Sequence, residues 1–423
     1  MFQTTGKLLE ITRTGMLGNS TFLIGGSVAS SLGGFIFWLL AARLTSPASV
    51  GLAAALIASS TLLISLSDWG LSVSLVRYSP LTTSRHILVN TAVRLAIVLG
   101  VLSVTIFLIG LPLWSPALLE VRQSIMIVIL FLLFTVGNQV MAYQDMAMLA
   151  VGNPKFIFWR NIACNVPTSL FLILLVPLVK IDTVVVYAFM LPNLIVVAYT
   201  GLITLPKAVP GYRFLGAFEP TMVRGIWRYG FTNHLGNLLW ALPAFLLPIF
   251  VVSFDSFEAG GVFAIAWALT GAVFIIPRTV STAFFAQLSK SASSCWRSII
   301  LAGVIVFGLG IPSVLILWKV SPLLLSLFGK SYVDTALLGT MLLSFIPFSI
   351  NTLLFSLLRV SRQIWWIVMF SASYALTVIS MTLAMSPEGI EGIADGWLAG
   401  NALAIVPGFI TVFLSQRHDR EES

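Results

Sequence analysis

Residues 298–318 read SIILAGVIVFGLGIPSVLILW, an uncharged stretch closed by Arg297 on one side and Lys319 on the other. Wound as an α-helix at about 1.5 Å per residue, it measures about 31 Å, the thickness of a bilayer's hydrocarbon core. Stretches of the same kind recur along the whole chain of 423 residues. Hydrophobic residues make up 58% of it and charged residues 9%, against about 45–50% and about 25% in soluble domains. So few charges cannot cover a water-facing surface. In a bilayer each backbone polar group must find its partner inside the chain, so the expected fold is all-α and membrane-integral.

The same reading places twelve spans, at 17–43, 50–76, 90–112, 123–146, 156–178, 183–205, 229–252, 260–287, 298–318, 335–358, 363–385 and 391–415. The basic residues test that count. Seventeen of the 23 Lys and Arg, among them Lys7, Arg77, Lys155, Lys207, Arg297, Arg359 and Arg417, fall on one side. Arg122, Lys180, Lys319 and Lys330 fall on the other, while Arg43 ends a span and Arg278 lies within one. The bias assigns the first side, with both chain ends, to the cytoplasm. The apolar run from Leu17 to Leu44 is too long for a signal-peptide core and reads as an uncleaved first span. Although the net charge is +8, the basic residues are scattered between spans, which excludes a nucleic-acid surface.

The longest cytoplasmic connection, 206–228, divides the chain into an amino-terminal six-helix lobe (1–205) and a carboxy-terminal one (229–423). Lys207, Arg213, Arg224 and Arg228 alternate there with Phe214, Leu215, Phe218, Met222 and Ile226, the pattern of an amphipathic segment on an anionic leaflet. The halves echo each other. Laid on 254–289 without a gap, residues 44–79 align Ser46, Gly51, Ala54, Ala58 and Ser79 with Ser256, Gly261, Ala264, Ala268 and Ser289. Six spans separate the copies, so both lie the same way in the membrane, as a parallel repeat.

A charge at the bilayer centre costs about 2.5–3.5 kcal/mol on insertion scales, so an intramembrane charge is a candidate for function. Asp68 and Arg278 occupy equivalent positions under the 210-residue shift, as a structural ion pair or as a carboxylate beside an anion-binding guanidinium. Arg43, Arg77, Arg94 and Arg160, at span ends, read as snorkelling cations; Arg43 stands apart because it lies on the outer side, where charge alternation gives it no reason to be. His234, with Asn233 and Asn237, marks a polar face of the seventh span, or a histidine bonded to a neighbouring helix. Gly26, Ser30 and Gly34 form a small-residue stripe suited to helix packing. Cys164 and Cys295 give no disulfide framework, and neither a metal-ligand set nor a phosphate loop is present: Gly329-Lys330-Ser331 lacks the upstream glycine.

Several segments together resemble a known family. Phe35-Ile36-Phe37-Trp38-Leu39-Leu40-Ala41-Ala42-Arg43-Leu44 with Gly51-Leu52, Asp68-Trp69-Gly70-Leu71-Ser72, Phe328-Gly329-Lys330-Ser331-Tyr332 and Gly389-Ile390-Glu391-Gly392-Ile393-Ala394 resemble, in order and spacing, the polysaccharide-export flippases. These are the Wzx-like branch of the multidrug/oligosaccharidyl-lipid/polysaccharide (MOP, MATE-like) superfamily. The resemblance implies two six-helix lobes around a central cavity that opens alternately to either side, in a bacterial inner membrane. It implies no enzyme chemistry and no cofactor. The substrate would be an oligosaccharide on an isoprenoid diphosphate, and membrane lipids and polysaccharide polymerase machinery would be the partners. Arg278 and Arg43 are then the first candidates for the diphosphate, His234 and Asn237 further substrate contacts, and Asp68 the ion-coupling carboxylate. A multidrug/cation antiporter of the same fold, a lipid II flippase and a membrane-embedded polysaccharide polymerase or ligase are the competing readings. The first would call for unpaired carboxylates, the second for two additional spans, and the third for a large outer loop.

Overall fold

The computed structural model describes residues 2–79, 82, 84–178, 182–214, 216–288, 295–360 and 364–422. Lys180, Lys290 and Arg362 lie outside the described residues, as do the side chains of Lys7, Arg13, Arg77, Arg224, Arg228, Asn233 and Arg297.

The described residues are almost entirely helical, and the all-α fold expected from the sequence is the one observed. The first half contains α1 (Phe2–Leu44), α2 (Pro47–Asp68), α3 (Leu71–Tyr78), α4 (Arg85–Trp114), α5 (Ile125–Ala150), α6 (Pro154–Leu175), α7 (Val184–Tyr199) and the short α8 (Leu205–Ala208). The second contains α9 (Pro220–Phe254), α10 (Phe257–Leu288), α11 (Cys295–Phe328), α12 (Thr335–Leu343), α13 (Phe345–Val360), α14 (Ile364–Met385) and α15 (Gly389–Glu422). Among the described residues, eleven segments are long and apolar enough to cross a bilayer. The last, Ile364–His418, has 55 residues and would be about 80 Å long as one helix. It contains α14 and α15, turned back on each other at Ser386–Glu388, and so supplies two crossings.

Two compact units result. One comprises Met1–Leu44, Leu63–Gly110 and Val121–Phe231; the other comprises Thr45–Leu62, Leu111–Glu120 and Thr232–Ser423. The core of the first gathers Leu75 of α3, Val89 and Val93 of α4, Tyr143 and Met148 of α5, Val197 of α7, and Val209 and Tyr212 beyond α8. That last pair decides the shape of the central connection. Only Leu205–Ala208 is helical before the chain runs on to α9. It is strapped to α4, where Asn90 Oδ1 accepts from the Arg213 N–H and Thr91 Oγ1 from the Glu219 N–H. Along the strap Val209 and Tyr212 are buried, Phe214 is half-buried, and Lys207, Arg213 and Phe218 are exposed.

The span expected at 50–76 is broken. α2 ends at Asp68, Trp69 takes φ 48° and Gly70 φ 73°, and α3 starts at Leu71. Hydropathy does not register such a turn, because both arms are apolar. A Cβ on Gly70 would lie 2.2 Å from the Gly230 carbonyl oxygen, so the break packs backbone to backbone against α9. In the second unit a glycine ridge at Gly392, Gly396 and Gly400 seats α15 on α14: added Cβ atoms would meet Met385 O at 1.9 Å, Thr382 Cα at 2.5 Å and Val378 Cα at 2.7 Å. On α1 the closely packed positions are Gly26, against the Phe158 backbone, and Gly33, against Asn165, whereas Gly34 meets nothing within 4 Å.

Candidate functional site

Arg278 lies two-thirds along α10, beyond Pro277. Its guanidinium sits over the Phe348 ring of α13, 5.4 Å from the centroid. The Phe348 ring is itself stacked on Phe274 at 4.4 Å and 9°, so the cation caps a rigid aromatic column. Trp240 of α9 flanks the column, 6.1 Å from Phe348 and stacked on Tyr374 of α14 at 4.2 Å. The Tyr374 hydroxyl lies within electrostatic reach of Arg278 and donates to Asn401 Oδ1 of α15 at 3.0 Å. Among the described residues no carboxylate stands within ion-pair distance of Arg278, and the residue remains exposed. A cation–π contact is worth about 2 kcal/mol when desolvated. That is less than the cost of holding an uncompensated charge at this depth.

Asp68 is engaged differently. Its carboxylate accepts from the Gly70 N–H at 3.2 Å, the Ser72 N–H at 3.3 Å and the Ser72 hydroxyl at 2.9 Å. It thereby satisfies donors that the break between α2 and α3 would leave open. The Tyr143 hydroxyl donates to the Asp68 carbonyl oxygen at 3.2 Å, and Ser67 donates to Gln139 Oε1 at 2.9 Å, tying the break to α5. Arg43 stands exposed in the last turn of α1, where a cation suits the helix dipole. His234 and Asn237, half-buried and exposed, lie one turn apart on α9.

An ion pair among the described residues joins two other side chains. Arg160 Nη2 of α6 meets Asp145 Oδ2 of α5 at 3.0 Å, with side-chain exposures of 11% and 13%. Arg160 also donates to Asn161 Oδ1 at 2.6 Å, and Asn161 donates to the Gly26 carbonyl oxygen of α1 at 2.9 Å. Asp145 Oδ1 and Arg160 Nε are buried without hydrogen-bond partners among the described residues. The sequence reading passed over Asp145 and took Arg160 for a snorkelling cation. What would have found the pair is their placement, five residues before the end of α5 and six into α6, once the two helices are folded back across Gly152 and Asn153.

Arg359 was also missed, having been counted only toward topology. At the end of α13 its guanidinium lies 4.5 Å from the Phe285 centroid and 5.9 Å from that of Phe355. It too has no carboxylate partner among the described residues. No group of three His, Cys, Asp or Glu that would hold a metal ion occurs among the described residues.

Comparison with known protein families and with curated proteins gives no match. Solved structures do match. The chain is similar to a multidrug resistance MATE family transporter of the MOP superfamily in its inward-facing conformation, with a TM-score of 0.69 at 15% identity over 93% of this chain and 96% of that one. An outward-facing structure of such a transporter gives 0.57 at 16% identity, over 95% and 96%. The lipid II flippase MurJ, inward closed, gives 0.68 at 13% identity, over 93% of this chain and 87% of that one. At such identities the likeness establishes that this chain shares the fold of these transporters.

Proposed function

We propose that this chain is a membrane transporter that carries an isoprenoid-diphosphate-linked oligosaccharide from the cytoplasmic to the outer leaflet by alternating access. The observation that carries the reading is Arg278, an exposed guanidinium held on Phe348 within a membrane span, with no carboxylate partner among the described residues. A planar guanidinium binds phosphate oxygens in pairs, and a diphosphate is the doubly charged part of such a substrate. His234 and Asn237 are assigned contacts to sugar hydroxyls, and Asp68 the coupling to an ion gradient. The likeness to a flippase with a lipid-linked substrate supports the same class. An organic-cation antiporter of this fold is disfavoured, because Arg278 would repel its substrate.

The test is a flipping assay in proteoliposomes, using a fluorescent sugar on an isoprenyl diphosphate and reading protection from a membrane-impermeant quencher. Arg278→Gln is expected to abolish flipping while the protein inserts and melts as the parent does. Arg278→Lys, which keeps the charge but loses the paired geometry, is expected to retain a minor fraction. A full rate in Arg278→Gln overturns the assignment.

A further inference from the structure

Arg278 and Arg359 stand at two ends of one aromatic ladder. From the Arg278 guanidinium the contacts run to Phe348 (5.4 Å), Trp240 (6.1 Å), Phe355 (4.8 Å) and then the Arg359 guanidinium (5.9 Å). Each cation is stacked on a ring and each lacks a carboxylate among the described residues. The rings are structural: Phe348 and Phe355 are 3% and 6% exposed, and Trp240 stacks on Phe355 at 11°. They fix the two guanidinia relative to each other through a packed core, so that little side-chain freedom remains to be lost on binding. Arg278 lies within its span, whereas Arg359 is the last residue of the Lys330–Arg359 span, at the end that charge alternation assigns to the cytoplasm.

We infer that Arg359 is a second anion-binding residue, the first station for a phosphate-ester headgroup that then passes to Arg278. The inference rests on the reading of the substrate as an isoprenoid diphosphate. A charge at the membrane surface acts mainly on capture, by steering, whereas a desolvated contact deeper in acts mainly on release. The two arginines should therefore separate kinetically.

The experiment is stopped-flow binding of an isoprenyl diphosphate to the purified full chain in phosphatidylcholine nanodiscs. Arg359→Gln, and Arg359→Met, which keeps an apolar stem over Phe285 and Phe355, are both expected to slow association about fivefold or more and to flatten its dependence on salt. Dissociation should be unchanged in both, and Arg359→Lys should restore association. Arg278→Gln is expected to speed dissociation instead. If Arg278→Gln alters binding while both neutral Arg359 variants associate at the parent rate, the inference about Arg359 is overturned and the substrate reading stands. If Arg278→Gln leaves binding untouched, the substrate reading itself fails. The bilayer's own headgroups carry the same chemistry, so a second arm adds phosphatidylglycerol to the nanodiscs. Unchanged association of the diphosphate, with loss of co-purifying phosphatidylglycerol in Arg359→Gln, would make Arg359 a headgroup anchor and overturn the station.

Discussion

Gly51 and Gly261 each occupy the space where the other helix's side chain would be. A Cβ on Gly51 would lie 1.9 Å from the Phe257 carbonyl oxygen, and a Cβ on Gly261 would lie 2.2 Å from the Pro47 carbonyl oxygen. Pro47 and Phe257 are themselves 210 residues apart, the same offset that relates Gly51 to Gly261. The contact is thus reciprocal: each glycine meets the carbonyl four residues before its counterpart. Only a local two-fold arrangement makes the same patch self-complementary in this way. The repeat read from five small-residue identities has a physical cause at this point, where two copies of one helix start touch through bare backbone.

Substitution at this contact has nowhere to go, because the obstacle is main chain and no rotamer relieves it. Gly51→Ala and Gly261→Ala are each expected to destabilise the protein by ~1–3 kcal/mol, as overpacking does, and by similar amounts because their surroundings are equivalent. Gly271 lies on the same helix as Gly261 with nothing within 4 Å, so Gly271→Ala should be neutral or stabilising through helix propensity. Thermal melting in detergent by tryptophan fluorescence reads all three. Equal melts for Gly261→Ala and Gly271→Ala would refute the contact.

What the sequence disclosed follows from which forces leave a one-dimensional trace. A bilayer demands long apolar runs and sorts Lys and Arg by side, so the span count and the fold class were legible. The segments that resemble a transporter family turn out to be punctuation. Asp68 and Gly70 make the break after α2, Phe328 and Tyr332 anchor a turn at Gly329, and Gly392 begins the ridge that seats α15 on α14. The candidate site leaves less trace. Arg278 was visible as a charge in an apolar run, but Arg359 looked like one more positive-inside residue, since its meaning depends on Phe285, 74 positions away. Asp145 and Arg160 sit near span ends, where single charges are ordinary. Only the packing of α5 on α6 makes them a pair. The inward burial of Tyr212 depends likewise on Asn90 and Thr91.

The Asp145–Arg160 pair gives the second prediction. With both side chains nearly buried, removing one partner strands a charge, at a cost of about 3–5 kcal/mol. Asp145→Asn and Arg160→Gln are each expected to lower folded yield and melting temperature sharply. The double variant, which strands nothing, should recover a large part of the loss. Additive losses in that cycle would show that the two side chains do not act as a unit.

Asp68 separates two roles in one substitution. As a cap it holds three donors around the α2–α3 break. Asp68→Asn retains an acceptor but exchanges one oxygen for a donor, with an expected cost near that of a lost cap, ~1 kcal/mol. Asp68→Ala, which leaves the Gly70 and Ser72 donors without their acceptor, should cost more. Flipping in proteoliposomes with and without an imposed proton or sodium gradient then reads the coupling role. Gradient dependence that disappears in Asp68→Asn assigns it coupling, and dependence kept alongside a lowered melt confines it to the cap.

Tyr212, in the strap outside the spans, is 3% exposed and its hydroxyl has no partner among the described residues. Burial pushes its pKa from 10.0 up to about 12. The neutral phenol is the form the fold tolerates, so this residue's contribution to stability is full below pH 10. It is lost as the pH rises through about 12, by at most ~2.7 kcal/mol for a shift of that size. Stability should therefore be flat with respect to this residue through neutral pH and fall only in the alkaline range, where detachment of the strap from α4 follows ionisation. Tyr212→Phe removes a buried hydroxyl with no partner among the described residues, a change expected to be neutral or slightly stabilising at pH 8. It should also delete its share of the alkaline loss. Parallel melts of parent and variant between pH 8 and pH 12 measure the difference, with phenolate absorbance recording which tyrosines have ionised. Curves that stay parallel to the alkaline end would mean that the Tyr212 hydroxyl already reaches water, and that the strap is held by the Asn90 and Thr91 hydrogen bonds rather than by its buried anchor.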